Sequence, residues 1–170
     1  MTIDISDILL AEEGAQREFI GEVFYKDTVY QGDKLHFISP LKVECTVSNG
    51  RDCLYLTANV HGEMTIPCSR CVKPFTHNID LSFTEKLNNA NDVLDEDDLD
   101  IYTYQGNEFK VDRMVFEHII LDLPIKRVCS TNCKGLCPKC GIDLNEKQCN
   151  CDRDDDIDIR LLELKKLLPS

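Results

Sequence analysis

Apolar and polar residues alternate through the middle of the chain. Val43, Cys45 and Val47 alternate with Lys42, Glu44 and Thr46, and Leu54, Leu56, Ala58 and Val60 alternate with Tyr55, Thr57, Asn59 and His61. A period of two predicts half-buried strands. Between the two runs, Asn49-Gly50 predicts a hairpin turn with positive φ at both positions. Gly62 predicts a bulge, after which Met64 and Ile66 carry the apolar series on to Pro67. Phe75, His77, Ile79, Leu81 and Phe83 hold the odd positions of a further strand. Consecutive strands joined by short connections make an antiparallel sheet.

The period then changes. Val115, Phe116, Ile119, Ile120 and Leu123 recur at helical spacing, with Asp112 placed to cap the helix and Pro124 to end it. A last helix is expected to start in the acidic run around Asp154 to Asp156, which suits the positive end of its dipole. Its apolar stripe is Ile157, Leu161, Leu164 and Leu168, and Lys165 and Lys166 suit its other end. That stripe either packs on the body or offers a face to a partner. The first 25 residues are ambiguous: Ile3 and Ile5 alternate like a strand, and the segment from Ile8 has room for one or two helical turns.

Charge changes this picture only locally. The chain has 170 residues and a net charge of −12, but most of the acidity lies in two short segments. One holds Asp92, Asp95, Glu96, Asp97, Asp98 and Asp100 and reads as a solvated loop. The other holds Asp152, Asp154, Asp155, Asp156 and Asp158. Acidity disfavours a grip on nucleic acid by the surface as a whole. Between Leu123 and Ile142 the trend reverses, with Lys126, Arg127, Lys134 and Lys139 and no acid. Such a basic stretch suits RNA contact. It suits slightly better the neutralisation of thiolates, because a four-thiolate zinc site carries a formal charge of −2.

The candidate chemistry is in the cysteines. Cys68 and Cys71 stand in Pro-Cys-Ser-Arg-Cys, and Cys129, Cys133, Cys137, Cys140, Cys149 and Cys151 follow in the last third. All eight fall into short pairs, and eight thiolates serve two four-coordinate zinc ions. Disulfides would need an oxidising compartment. The first residues have no basic segment or cleavage site of a secretory signal, and no apolar run approaches the roughly 18 residues of a membrane span. A cytoplasmic protein with reduced thiols is therefore expected, and clustered thiolates then favour a soft cation. A thioredoxin-type motif would need a helix after Cys71, where a strand pattern follows instead. Cys45 and Cys53 read as small apolar residues. His36, His61, His77 and His118 form no metal or triad spacing, and only His77 and His118 are kept as substitute ligands.

Pro-Cys-Ser-Arg-Cys-Val-Lys-Pro-Phe, the helix ending Ile-Ile-Leu-Asp-Leu-Pro, and Cys-Lys-Gly-Leu-Cys-Pro-Lys-Cys-Gly-Ile-Asp-Leu-Asn before Cys-Asn-Cys resemble the bacterial YceD family, the large ribosomal RNA subunit accumulation proteins. The resemblance spans roughly residues 15 to 168. It implies a cytoplasmic protein needed for accumulation of large-subunit ribosomal RNA, encoded near a large-subunit ribosomal protein, with no catalytic activity. It also implies a division of ligands, because some members keep only the equivalents of 68, 71, 129 and 133. Cys68, Cys71, Cys129 and Cys133 would then form one zinc site and Cys137, Cys140, Cys149 and Cys151 a second. A rival partition takes all four ligands of one ion from 129 to 140, and then needs 68 and 71 to reach 149 and 151.

The resulting expectation is an α+β fold. Residues 1–125 form a body in which an antiparallel sheet, able to curve into a partial barrel, packs on the 112–123 helix and carries an acidic loop near 91–100. Residues 126–152 form a cysteine-rich, zinc-binding appendage, and 153–170 a C-terminal helix. The expected function is a non-catalytic accessory role in ribosome biogenesis, with two zinc ions and with large-subunit ribosomal RNA or a ribosomal protein as partner. Neither a membrane nor a small-molecule substrate is expected. The alternatives are a zinc-stabilised interaction module with another client, for example in transcription, and a thiol redox or zinc-handling protein.

Overall fold

A computed structural model describes residues 1–90 and 102–151. The acidic segment near 91–100 and the C-terminal helix expected over 153–170 lie outside the described residues. In chain order the elements are β1 (Thr2–Asp4), α1 (Ser6–Leu9), β2 (Gln16–Val23), β3 (Thr28–Tyr30), β4 (Asp33–Phe37), β5 (Leu41–Asn49), β6 (Leu54–Pro67), β7 (Pro74–Asn89), β8 (Tyr102–Tyr104), β9 (Glu108–Lys110) and α2 (Asp112–Asp122). The described residues are mostly antiparallel sheet with few helices.

The long strand β6 organises the sheet. β7 pairs with it along its whole length, from Leu54 opposite Leu87 to Pro67 opposite Pro74. On its other edge β5 takes the first part, from Asn49 opposite Leu54 to Lys42 opposite His61. β4 takes the far part, with Phe37 opposite Met64. β2 lies outside β5, and β8 runs parallel to the end of β7. The sheet is not a closed barrel. Among the described residues β2 pairs only with β5 and β8 only with β7, and β8 reaches just the last three residues of β7, so no continuous ladder joins the two edges. β1 and β9 form a separate two-stranded ribbon.

The alternation reads directly as burial. Leu41, Val43, Cys45, Val47, Leu54, Leu56, Ala58, Val60, Met64 and Ile66 face one continuous core. The opposite face is polar, and on it the Thr57 and Thr84 hydroxyls hydrogen-bond at 2.9 Å across β6 and β7. α2 covers the core face with Met114, Val115 and Ile119 buried. The ring of Tyr25 lies 5.0 Å from Phe37 and 5.4 Å from Phe116, and its hydroxyl donates to the Asp112 carbonyl at 2.6 Å. Among the described residues no helix is long and apolar enough to cross a membrane.

Three local expectations change. Gly62 is not a bulge, because the β6–β7 register runs unbroken through Gly62 opposite Ile79. It is instead a place of close approach: a Cβ there would stand 2.3 Å from Leu41 Cδ2. Asn49 ends β5 in extended backbone, and residues 50–53 make a four-residue turn closed by the Gly50 amide donating to the Cys53 carbonyl at 2.9 Å. The two-residue turn with paired positive φ is at Gln31 (φ 51°) and Gly32 (φ 87°), where Tyr30 faces Asp33. Asp112 is the first residue of α2 rather than its cap, which is Val111.

Candidate metal centre

The β6–β7 connection builds the first half of a site. Pro67 ends β6, and the chain turns through Cys68-Ser69-Arg70-Cys71 before Pro74 starts β7. The Val72 amide donates to the Cys68 carbonyl at 2.9 Å, and the Cys68 amide donates to the Lys73 carbonyl at 2.9 Å. The same two bonds recur downstream. The Gly141 amide donates to the Cys137 carbonyl at 2.8 Å, and the Cys137 amide to the Ile142 carbonyl at 2.8 Å. Cys68–Lys73 and Cys137–Ile142 are therefore two copies of one tight knuckle. Each aims two sulfurs to the same side.

Each knuckle meets a second pair of cysteines. Cys68, Cys71, Cys129 and Cys133 gather in one cluster, and Cys137, Cys140, Cys149 and Cys151 in another, with all four sulfurs of each within 4.8 Å of one another. Cys68 Sγ lies 3.8 Å from Cys133 Sγ, and Cys71 Sγ lies 3.7 Å from Cys129 Sγ. Disulfide sulfurs would be about 2 Å apart. Four thiolates bound at about 2.3 Å to one tetrahedral ion sit roughly 3.8 Å from one another. The first cluster thus has the dimensions of a tetrathiolate metal site, and both clusters can hold a metal ion.

The electrostatics suit a cation. Burial pushes the Cys68 thiol up, but the amides of Cys71, Cys129 and Arg70 outweigh it and bring the thiol down to about 6. Its counterpart Cys137 is brought down to about 6 by the amides of Cys140 and Lys139. Cys129 is pushed up to about 12 by its hydrogen bond with Cys133 and by burial. Cys151 is pushed up to about 12 by its hydrogen bond with Cys140 and by burial. Four sulfurs so close cannot all ionise together without a positive charge among them. Asn145 braces the first cluster, its amide donating to Cys133 Sγ at 3.5 Å while its Oδ1 accepts from the Lys134 amide at 2.7 Å.

The second cluster is docked on the first. The Leu136 amide donates to the Arg70 carbonyl at 3.1 Å, and Arg70 Nη1 donates to the Cys133 carbonyl at 2.6 Å. Lys73, just past the first knuckle, pairs with Asp143 at 2.7 Å and with Glu146. The first cluster is in turn fixed to the sheet through Cys68 and Cys71, with Phe75 and Val128 packed against it.

The family model for the large ribosomal RNA subunit accumulation protein YceD matches residues 56–168. The chain belongs to the YceD family. It is 28% identical to an uncharacterised protein of Mycobacterium tuberculosis over 131 residues, which is 75% of this chain and 60% of that one. It is 28% identical to an uncharacterised protein of Bacillus subtilis over 135 residues, 77% of this chain and 76% of that one. It is 26% identical to the chloroplastic large ribosomal RNA subunit accumulation protein YCED homolog 1 of Arabidopsis thaliana over 146 residues, 69% of this chain and 45% of that one. The chain spans about 60% of the length of the mycobacterial relatives it matches. No solved structure matches it.

In this YceD-family chain the remaining candidates separate. His77 and His118 belong to neither cluster; His118 stacks on Phe83 with ring centroids 3.8 Å apart and pairs with Glu85 at 2.9 Å. Cys45 is buried in the core, where burial pushes its thiol up to about 11, and Cys53 is half-buried in the β5–β6 turn. Of the four basic residues singled out in the cysteine-rich stretch, Arg127 is committed elsewhere. It pairs with Asp33 at 2.6 Å and is only 14% exposed, so it ties the stretch to β4 instead of facing solvent. Lys126, Lys134 and Lys139 are exposed. Arg70 and Lys147, which the sequence pattern did not single out, are also exposed beside the clusters. Arg70 was legible as a cation inside the first Cys-x2-Cys pair; Lys147 had no signal beyond its place ahead of Cys149.

Proposed function

We propose that this protein is a zinc-stabilised, non-catalytic accessory factor in the accumulation of large-subunit ribosomal RNA, acting in a reducing, cytoplasmic setting through contact with that RNA or with a ribosomal protein. The observation that carries the zinc reading is the sulfur spacing of 3.7 and 3.8 Å in a cluster that, among the described residues, is made of four cysteines alone. Thiolates select soft cations, and four of them close the coordination shell, which is the arrangement of a structural and not a catalytic zinc. Cys68, Cys71, Cys129 and Cys133 would hold one ion, and Cys137, Cys140, Cys149 and Cys151 the other. The ions would supply folding free energy, on the order of 10 kcal/mol each. The ribosomal part of the reading rests on family membership and on the chloroplastic relatives named for large-subunit ribosomal RNA accumulation.

Two measurements test it. Native mass spectrometry of protein purified without chelator is expected to show two zinc ions per chain. Deleting the gene is expected to lower the ratio of large- to small-subunit ribosomal RNA, with restoration by the wild-type chain and not by Cys68→Ser. An unchanged ratio on deletion would end the ribosomal reading, and a protein without metal would end the zinc reading.

A further inference from the structure

A cleft of about 630 Å³ opens between the two cysteine clusters, lined by Cys133 of one and Cys149 of the other. Its remaining walls carry Arg70, Lys134, Lys147 and Gln148 around Leu144. We propose that this cleft is a binding site for the phosphate backbone of single-stranded RNA, with Arg70, Lys134 and Lys147 as its phosphate contacts. The proposal deepens the ribosomal reading above and rests on it.

The charge arrangement carries the inference. Residues 126–151 contain only two acids, Asp143 and Glu146, and both are bound by Lys73. Asp33 likewise takes Arg127. Among the described residues these pairs engage carboxylates that would otherwise be available to the cleft; the acidic run from Asp152 lies outside the described residues. Arg70, Lys134 and Lys147 have no carboxylate partner among the described residues. A mere offset for thiolate charge would place cations around both clusters without convergence, as the exposed Lys126 and Lys139 do outside the cleft. Three cations instead converge on one concavity, where their fields add.

The chemistry of the walls matches the ligand. Arg70 spends one N–H on the Cys133 carbonyl, which fixes its plane and leaves other donors of the fork for a phosphate. Gln148 adds an amide that can read a base edge or a ribose hydroxyl. The floor is rigid, because Cys133 and Cys149 are each fixed in a cluster and the Lys134 amide is bonded to Asn145. A rigid, basic, polar concavity favours a flexible polyanion over an acidic protein face, which would have to present its carboxylates on a matching projection.

The test is fluorescence anisotropy of the full chain with labelled single-stranded fragments of large-subunit ribosomal RNA, over a range of salt. Lys134→Glu/Lys147→Glu is expected to weaken binding about tenfold or more, and to flatten the log Kd against log salt slope by about 1.4 for two lost contacts. Metal content and thermal midpoint should match wild type, since neither side chain has a structural partner among the described residues. Lys126→Glu/Lys139→Glu is the control and is expected to bind within about twofold of wild type, because those lysines lie outside the cleft. Lys134→Gln/Lys147→Gln keeps the question answerable if charge reversal disturbs folding, with an intermediate loss expected. Equal binding by wild type and the Lys134/Lys147 variants, an equal loss in the control, or no RNA binding by wild type would each overturn the proposal. The ribosomal reading fails separately, by a normal ribosomal RNA ratio on deletion. If that ratio falls but the Lys134/Lys147 variants restore it and bind RNA as wild type does, only the cleft is wrong.

Discussion

Val72 stands behind Cys71 in the left-handed backbone position that Gly141 holds behind Cys140, at φ 61° against φ 72°. A β-branched residue in that region crowds its own backbone, at roughly 1–2 kcal/mol. The knuckle imposes the conformation, because only there can the Val72 amide reach the Cys68 carbonyl. The side chain is 63% exposed, so little packing would be lost with it. Val72→Gly is expected to stabilise the protein by about 0.5–1 kcal/mol after the extra chain entropy of glycine is subtracted. Denaturant unfolding of both metal-loaded proteins measures this, and a destabilised variant would show that the strain is absent.

On the zinc reading proposed above, the docking of one cluster on the other would make metal loss asymmetric. Cys68→Ser removes a ligand from the cluster anchored in the β6–β7 turn, and with it the support that Arg70 and Lys73 give to the second. It is expected to lose both ions. Cys137→Ser is expected to lose one ion and leave the sheet folded, because the second cluster supports nothing in the core. Metal counts and thermal unfolding of the two variants decide the point. A symmetrical loss of one ion each would show that the clusters are independent.

Gly62 lies under Leu41, with no space for a methyl group. Leu41 is fully buried and cannot swing into solvent. Gly62→Ala is expected to cost about 1–3 kcal/mol by overpacking. Leu41→Val in the same chain should recover part of the loss. If Gly62→Ala melts with the wild type, the contact is soft.

Glu117 links α2 to β8 by accepting from the Tyr102 hydroxyl at 2.8 Å, and it also pairs with Arg113 at 2.7 Å. Burial pushes its carboxyl up, but the bonds from Arg113 and Tyr102 outweigh that and leave it below its ordinary value of 4.5. A carboxyl lowered by folding stabilises the native state above its unfolded value, and that contribution is lost as pH falls through the folded value. Wild type is therefore expected to exceed Glu117→Gln in stability at pH 7, with the gap closing as pH drops below about 4.5. The group is partly exposed, so the gap is small and shrinks in salt. A gap unchanged at pH 3 would assign the effect to packing.

Much of the sheet was legible because one of its faces is buried and the other solvated, so Val43 to Val47 and Leu54 to Val60 carry their own register. The helix showed itself through Val115, Ile119 and their neighbours for the same reason. The turn was misplaced because Asn49-Gly50 has the preferred composition, whereas Gln31-Gly32 adopts the conformation; the adjoining four-residue loop relieves Asn49 of any need for positive φ. Gly62 was misread because a missing side chain looks the same in sequence whether it makes room for a bulge or for a neighbour. Cysteine spacing marked the pairs, but which pairs meet depends on where the sheet and α2 bring the chain back. Arg127 looked free because its partner, Asp33, is distant in sequence.

The first cluster joins segments that are made at different times. Cys71 and Cys129 are 58 residues apart, and chains are synthesised and begin to fold from the N-terminal end. A growing chain therefore displays the Cys68–Cys71 knuckle as an open dithiol for the whole interval before Cys133 emerges. During that window it is a weak, incomplete ligand, open to oxidation or to the wrong cation, and its partner pair arrives only after α2. Nascent chains stalled between residues 71 and 129 should thus be alkylated readily at Cys68 and Cys71, while released chains resist. On the zinc reading proposed above, filling of the first cluster would depend on translation timing as much as on affinity.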